Sequence, residues 1–448
     1  MASISIFNMQ KHFIQGLKKT ASTLFIALGI LSCGTAVYAQ KSTSASPYSK
    51  LGIGQMRLDL LPQTRAMGGI STGLRYLGGT NTMNIANPAS YSGFHHTIFD
   101  AGLYGNVTQL EKGSAADNTA DFAFSHITMG IPLGKAGGVA FGLLPFSDVG
   151  YSYNNIKTLD TLSYRSTLSG EGGLNKAFIG YGISPFKGFS IGANVSYIFG
   201  NLTDISKIEF PYSLGAYNTT QNNIRSFSGA SLDYGVQYFK SLGNKLNLTV
   251  GYSGSLNNTI KDKSTVLITR TQPSLSDVEN IATDTSYINE KGSRNINLPL
   301  KHNVGFTLAK SNKWLVGADF KYADWSDFQV RQGEQQLGKS YGVAIGGQFT
   351  PDPSSIRYLN LVDYRIGFRY DKTQMNINGT DIKDMAITLG MGLPLPSTPY
   401  SRAFSKINVS AELGQMGTLS NNLVRERYIN FNIGFTLNDK WFSRRNYD

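Results

Sequence analysis

Catalysis needs histidines, cysteines or carboxylates at spacings that let them meet, and this sequence offers few. The five histidines are His12, His95, His96, His126 and His302. None has a second histidine at i+4 or a nearby glutamate in zinc spacing. The single cysteine, Cys33, rules out both a cysteine-rich zinc domain and a disulfide scaffold. Gly251-Tyr252-Ser253-Gly254 lacks the glycine register of a nucleophile elbow, and Gly52-Ile53-Gly54 lacks the third glycine of a phosphate loop. A serine and a histidine on adjacent strands could still form a lipase, but nothing singles out a pair. The expectation is a protein with no catalytic residues, no cofactor and no metal. The formal charge of +12 comes from dispersed rather than clustered bases. Dispersed bases suit anionic lipid headgroups and argue against nucleic acid.

The charges with work to do are of another kind. Arg57, Arg65 and Arg75 lie in a glycine-rich stretch and need acidic partners if that stretch is enclosed, because a buried unpaired charge is costly. Asp319, Asp371 and Glu412 sit on the polar parity of alternating segments and are the candidate partners. Arg365 and Arg369 share that parity. They suit lumen salt bridges, or a substrate carboxylate gripped in bidentate fashion. These assignments depend on what the alternating segments are.

The first 39 residues are an address. Lys11, Lys18 and Lys19 precede an apolar run from Ala21 to Leu31, and Val37-Tyr38-Ala39 is a cleavage site of the small-residue type. The rival reading is a lipoprotein box at Ile30-Leu31-Ser32-Cys33. Beyond residue 40 no apolar stretch is long enough for a membrane helix, which needs roughly 20 residues.

The remainder alternates. Ile429, Phe431, Ile433, Phe435 and Leu437 are interleaved with Asn430, Asn432, Gly434 and Thr436. Leu246–Ser253, Ile191–Phe199, Met385–Leu393 and Tyr364–Tyr370 behave alike. A period of two puts one apolar and one polar face on each strand. A soluble sandwich has such faces too. Here the segments often reach the roughly 9–11 residues of membrane strands, and aromatics such as Trp314, Tyr322 and Tyr370 stand near the ends of the apolar faces. Aromatics are 12% of the chain, glycines number 49 and charged residues are only 16%, which fits a barrel with a wet or plugged lumen. The expectation is an all-β, transmembrane, antiparallel β-barrel of about 14 strands over residues 95–438. Its strands start near Thr97, Ala120, Gly137, Leu162, Phe189, Ser226, Leu246, Leu298, Lys313, Ser340, Leu361, Asp384, Phe404 and Val424. Short turns near 133–136, 184–187, 241–244 and 310–312 should face the periplasm. Long outer loops are expected at 154–161, 210–225 and 271–297, with a periplasmic tail at 439–448.

Residues 40–94 do not alternate, and they are too apolar for a solvated linker. A segment of this kind ahead of a barrel with a polar lumen reads as a plug. It carries Arg65-Ala66-Met67-Gly68-Gly69 and, before the first strand, Asn87-Pro88-Ala89-Ser90. In that order these motifs resemble the N-terminal hatch of the FadL family of outer-membrane transporters for hydrophobic compounds. Gly138–Phe146, ending in Pro145-Phe146, is similar to the family's third strand, except that Ser147 stands where the family has glycine. The resemblance is closest to the Bacteroidetes branch, including Asn438-Asp439-Lys440-Trp441-Phe442 after the last strand.

The resemblance implies a fourteen-stranded barrel and uptake of compounds such as long-chain fatty acids. It also implies a gate built from Arg65, Gly68, Gly69, Asn87, Pro88 and Ala89. A kink at Pro145 and Phe146 would release cargo sideways into the bilayer; proline in a strand marks a bulge, an edge or a break in any case. Phe210, Tyr212, Leu214 and Tyr217 are the candidate capture surface on an outer loop. The expected partners are outer-membrane lipids and a hydrophobic small molecule, with the barrel monomeric. The alternative is a barrel subunit of a secretion or assembly complex, docking a protein at its outer loops or C-terminal tail.

Overall fold

The structure, a computed structural model, describes residues 46–78, 80–159, 162–210, 216–271, 284–310, 312–328, 336–396 and 404–439. The expected signal peptide, Cys33, Tyr212, Leu214 and the tail beyond Asp439 lie outside them. No described helix is long and apolar enough to cross a membrane.

Fourteen antiparallel strands close on themselves. They are β1 (Thr97–Lys112), β2 (Ala115–Pro132), β3 (Gly138–Leu159), β4 (Leu162–Phe186), β5 (Phe189–Glu209) and β6 (Asn218–Gly243). Then come β7 (Leu246–Ser255 and Thr259–Thr271), β8 (Asp284–Asn297 and Leu300–Lys310), β9 (Trp314–Asp324) and β10 (Lys339–Phe349). The last four are β11 (Asp363–Ile377), β12 (Thr380–Pro394), β13 (Phe404–Gly417) and β14 (Arg425–Asp439). Each strand pairs with its neighbours in sequence, and the ring closes where β14 meets β1, from Arg425↔Glu111 to Asp439↔Thr97. Closure pairs every strand with both neighbours over at least part of its length, the condition for a sheet to sit in lipid.

The molecule is inside out. On β14, Ile429, Phe431, Ile433 and Phe435 are 37 to 53% exposed, while Asn430 and Asn432 between them are buried. Apolar side chains face outward to hydrocarbon; amides and hydroxyls face the lumen.

Strand starts at Thr97, Leu162, Phe189, Leu246 and Phe404 coincide with the reading from alternation. The outer ends differ from it. Much of the expected loops 154–161, 210–225 and 271–297 is strand: β3 runs to Leu159, β6 begins at Asn218 and β8 at Asp284. Above the bilayer both faces meet water, so period-two polarity vanishes while the hydrogen-bonded ladder continues. The breaks within β7 and β8 lie at this level. Asn258 patches one of them, its Oδ1 accepting from Leu232 N at 3.0 Å. The β11–β12 hairpin closes on Asn378 and Gly379 at φ 50° and 78°, the left-handed pair that tight hairpins favour.

Candidate functional site

Residues 46–94 run through the lumen. The described part of this segment begins at the outer mouth, where Ser46 Oγ donates to Glu426 Oε1 at 2.6 Å and the Tyr48 hydroxyl donates to Val424 O. Burial, aided by the Glu426 charge, pushes the Tyr48 phenol up to about 12, so it stays a neutral donor. The segment then descends and tours the inner wall before entering β1.

Its tour follows glycines. A Cβ on Gly390 of β12 would stand 2.5 Å from Ala66, and one on Gly192 of β5 the same distance from Pro88. Cβ atoms on Gly367, Gly346, Gly251 and Gly138 would run into the backbone of Gly68, Met67, Thr72 and Tyr91. Glycine supplies close backbone approach at no steric cost. The abundance of glycine thus has a structural reason: inward glycines on β3, β5, β7, β10, β11 and β12 form a belt against which the segment lies flush.

Polar anchors pin it there. Asp319 Oδ2 on β9 accepts from Ser71 N at 2.7 Å and Thr72 N at 2.8 Å, and from Thr72 Oγ1 at 2.9 Å. The Asn87 side chain accepts from Ala89 N at 3.1 Å, capping the 3-10 turn Pro88–Gly93, and donates to Thr72 O at 2.8 Å. It also donates to Val236 O of β6 and Tyr252 O of β7, at 3.3 and 3.4 Å. Asn87 therefore ties the segment to the wall as well as redirecting it. Gly68 and Gly69 take φ +69° and +89° after the short helix Pro62–Arg65, and Gly68 N donates to Thr388 Oγ1 at 2.8 Å. Gln63, on that helix, donates to Asp100 Oδ2 at 3.3 Å, and Asp100 Oδ1 meets His126 Nε2 at 2.7 Å.

The expected arginine partners sort differently. Arg65 meets Glu412 at 3.4 Å. Arg57 pairs with Asp148 of β3 and lies 4.2 Å from the Tyr104 ring centroid. Arg75 donates to Ser190 Oγ at 2.8 Å. Asp319 holds backbone rather than an arginine, and Asp371 pairs with Arg369 at 3.1 Å. Arg369 also meets Asp384 at 2.9 Å, and its Nη2 donates to the Tyr428 hydroxyl at 2.6 Å. Arg365 is spent on Asp363 at 3.1 Å, Gln348 at 2.8 Å and Asn408 at 2.7 Å. Both arginines thus have protein partners. Sequence reasoning missed Lys176, which holds Asp59 of the segment and lies 3.9 Å from Asp233. An inward lysine on a strand reads only as parity until the opposing acid is placed.

Among the described residues, the wall is incomplete between β2 and β3. β2 and β3 share a ladder only from Pro132↔Gly138 to Ile127↔Leu143. Beyond it, β3 bulges at Pro145 and Phe146, and its freed edge is taken by the segment instead, through Gln55↔Asp148, Met56↔Ser147 and Arg57 N to Phe146 O at 2.9 Å. A small cavity of about 40 Å³ lies here, lined by Phe124, Leu144 and Pro145 among others. A larger one of about 270 Å³ occupies the middle of the lumen. Arg57, Leu58, Leu60 and Ile85 line both, so residues 57–60 form a partition between them. The outer mouth is filled by an apolar cluster that includes Tyr48, Ile53, Tyr151, Phe227 and Phe328. Trp325, Met375 and Met416 belong both to that cluster and to the lining of the larger cavity. Of the described capture residues, Phe210 packs against Tyr164 with centroids 6.2 Å apart, and Tyr217 is half exposed.

A family model described as BamG matches residues 18–448, so the chain belongs to that family. No curated protein matches it. Among solved structures it is similar to the toluene transporter TodX of Pseudomonas putida, with 15% identity over 86% of this chain and 99% of that one and a TM-score of 0.51. The toluene transporter TbuX of Ralstonia pickettii gives 15%, 85%, 98% and 0.52, and a Pseudomonas aeruginosa FadL homologue gives 11%, 87%, 100% and 0.52. At these identities the likeness is one of fold. The protein has the fold of these FadL-like β-barrels.

Proposed function

From the fold shared with hydrocarbon transporters, and from the geometry of the wall, we propose that the barrel passes hydrophobic compounds, fatty-acid-like molecules included, from its lumen sideways into the bilayer. The chain would reach the membrane with residues 1–39 as its signal peptide. The observation that carries the reading is the end of the β2–β3 ladder at Ile127↔Leu143, with residues 57–60 standing between the opening and the central cavity. Cargo would dissolve first in the apolar cluster at the outer mouth, which is continuous with the cavity through Trp325, Met375 and Met416. It would then pass the partition beside Leu58 and Leu60 and leave at Leu144 and Pro145. Arg65, Gly68, Gly69, Asn87, Pro88 and Ala89 hold the fixed side of this gate.

The test locks the partition. Met56 and Ser147 are antiparallel partners, and Cα atoms of such pairs stand about 4.5–5.5 Å apart, within disulfide range. Oxidised M56C/S147C should lose uptake of a labelled hydrophobic probe at least about tenfold, which corresponds to roughly 1.4 kcal/mol of barrier, with recovery on reduction. Uptake unchanged by the lock sinks the reading.

A second reading, a barrel subunit that docks a protein partner, is favoured by one observation. Strands β3 to β8 extend beyond the bilayer, where Ile156, Ile288 and, just before β6, Tyr217 are exposed. Native mass spectrometry of barrel taken gently from its own membrane separates the two. A retained hydrophobic ligand supports passage, and a stoichiometric protein without ligand supports docking.

A further inference from the structure

The wall around the β14–β1 seam carries a feature that passage does not use. Register places its outward residues in level rungs. One rung runs Phe368, Ile387, Leu413, Ile429 and Val107 across β11, β12, β13, β14 and β1, and all five are 37 to 54% exposed. The next rung outward contains Gln415, Arg427 and Gln109 in register. The one after pairs Arg425 with Glu111. On β11 and β12 the Gln415 rung carries Tyr370 and Met385, but across β13, β14 and β1 outward chemistry changes from apolar to amide and basic within two residues. Such a change marks the boundary between hydrocarbon and headgroups.

At this boundary the wall is concave, with a hollow of about 510 Å³ floored by the apolar rung and rimmed by Gln109, Gln415 and Arg427. The rim is cationic. Glu111 is shared by Arg425 and, at 3.1 Å, by Arg427, so one carboxylate faces two guanidinium groups. Lys383, exposed on β12 with the same outward parity as Met385 and Ile387, stands one step beyond the lining, near Asp381. The Arg427 side chain is 51% exposed despite its ion pair. A guanidinium placed so binds phosphate with two parallel N–H donors, while the rung beneath accepts acyl chains.

We propose that this hollow is a binding site for a lipid of the outer leaflet that carries phosphate on its head and several acyl chains. Neither half suffices alone: free phosphate would forgo the apolar floor, and an uncharged lipid would leave the excess guanidinium charge unmatched. The site lies on the outside of the barrel, and its guanidinium groups stand on β14 rather than on the strands that flank the β2–β3 opening.

The full barrel in detergent would be titrated with diphosphoryl lipid A, with its dephosphorylated form, and with inorganic phosphate, and read by native mass spectrometry. Wild-type barrel should hold one diphosphoryl lipid A. R427E/K383E should weaken that binding about tenfold or more, and R427K, which keeps the charge and loses the paired donors, should weaken it measurably but less. The dephosphorylated lipid should bind about as poorly to wild type as the diphosphoryl lipid does to the double variant. These side chains are exposed, so heat-modifiable mobility on gels should show the variants folded. Equal binding by the folded double variant, equal binding of both lipids, or displacement of lipid A by inorganic phosphate would each overturn the proposal. M56C/S147C should leave lipid A binding untouched, so this result and the uptake result fail independently.

Discussion

Asp319 offers the sharpest test of whether the plug is fixed or loose. Its Oδ2 receives two backbone N–H groups, Ser71 at 2.7 Å and Thr72 at 2.8 Å, besides the Thr72 hydroxyl. Ser71 and Thr72 are both buried. D319A removes the acceptor and leaves two amides dry. Each buried unsatisfied amide costs about 1–3 kcal/mol. Taking about 3 kcal/mol for the pair, local opening of residues 70–73 becomes about 150-fold easier, since about 1.4 kcal/mol is a factor of ten. Hydrogen exchange measures that opening directly, because a segment that opens without the barrel unfolding exchanges at its own local free energy. The peptide spanning 67–76 should exchange about two orders of magnitude faster in D319A, with amides of β9 and β14 unchanged. D319N keeps an acceptor oxygen without the charge and should give about tenfold. If the 67–76 peptide of D319A exchanges within about threefold of wild type, the anchor contributes little and the fixed-plug reasoning fails.

Two further outcomes follow from the same geometry. Gly346→Leu places a Cβ on the Met67 carbonyl and should lower the temperature of the heat-modifiable gel shift, overpacking costing about 1–3 kcal/mol, whereas Gly338→Ala, with only Gln374 O near at 3.8 Å, should be neutral. Equal shifts would remove the belt as an explanation for the glycines. In planar bilayers the purified barrel should show no stepwise ionic conductance, because the segment is flush with the wall and the outer mouth is filled; porin-like steps would show that the lumen is open.

Much of the barrel was legible because lipid imposes one rule on every strand. Where hydrocarbon meets one face and lumen the other, period two is enforced, and strand starts such as Thr97, Leu246 and Phe404 follow. Where water meets both faces, the rule lapses. Asp284–Asn297 and Asn218–Arg225 are strand by hydrogen bonding alone, and nothing in their side chains announces it. The same division holds at the site. Arg65, Gly68 and Asn87 stood out as residues of a segment that breaks the alternation. Their partners did not: Asp319, Gly346 and Lys176 look like any inward residue until the ring is closed. The expectation that Asp319 would answer an arginine failed for a physical reason. The plug's exposed backbone amides need acceptors as much as its cations need anions, and sequence displays only the latter.

The two readings of function differ in what they ask of the outer half. Passage asks the apolar cluster at the mouth to admit a guest, although Ile198, Leu202 and Ile260 in it are fully buried. Docking asks it only to be rigid. The wall opening points the other way. A purely structural barrel gains nothing from a bulge that ends the β2–β3 ladder at Ile127 and leaves residues 57–60 between a cavity and the bilayer. Unpaired strand backbone facing lipid is expensive, several kcal/mol for each unsatisfied group. Part of that cost is offset by Gln55, Met56 and Arg57, which bond the freed edge of β3. A closure made by a short, separately anchored stretch can be released without unfolding the barrel, whereas the glycine belt holds residues 62–94 in place. The mobile part of the plug is therefore expected to be residues 55–61 alone. The oxidised M56C/S147C pair immobilises that stretch and no other.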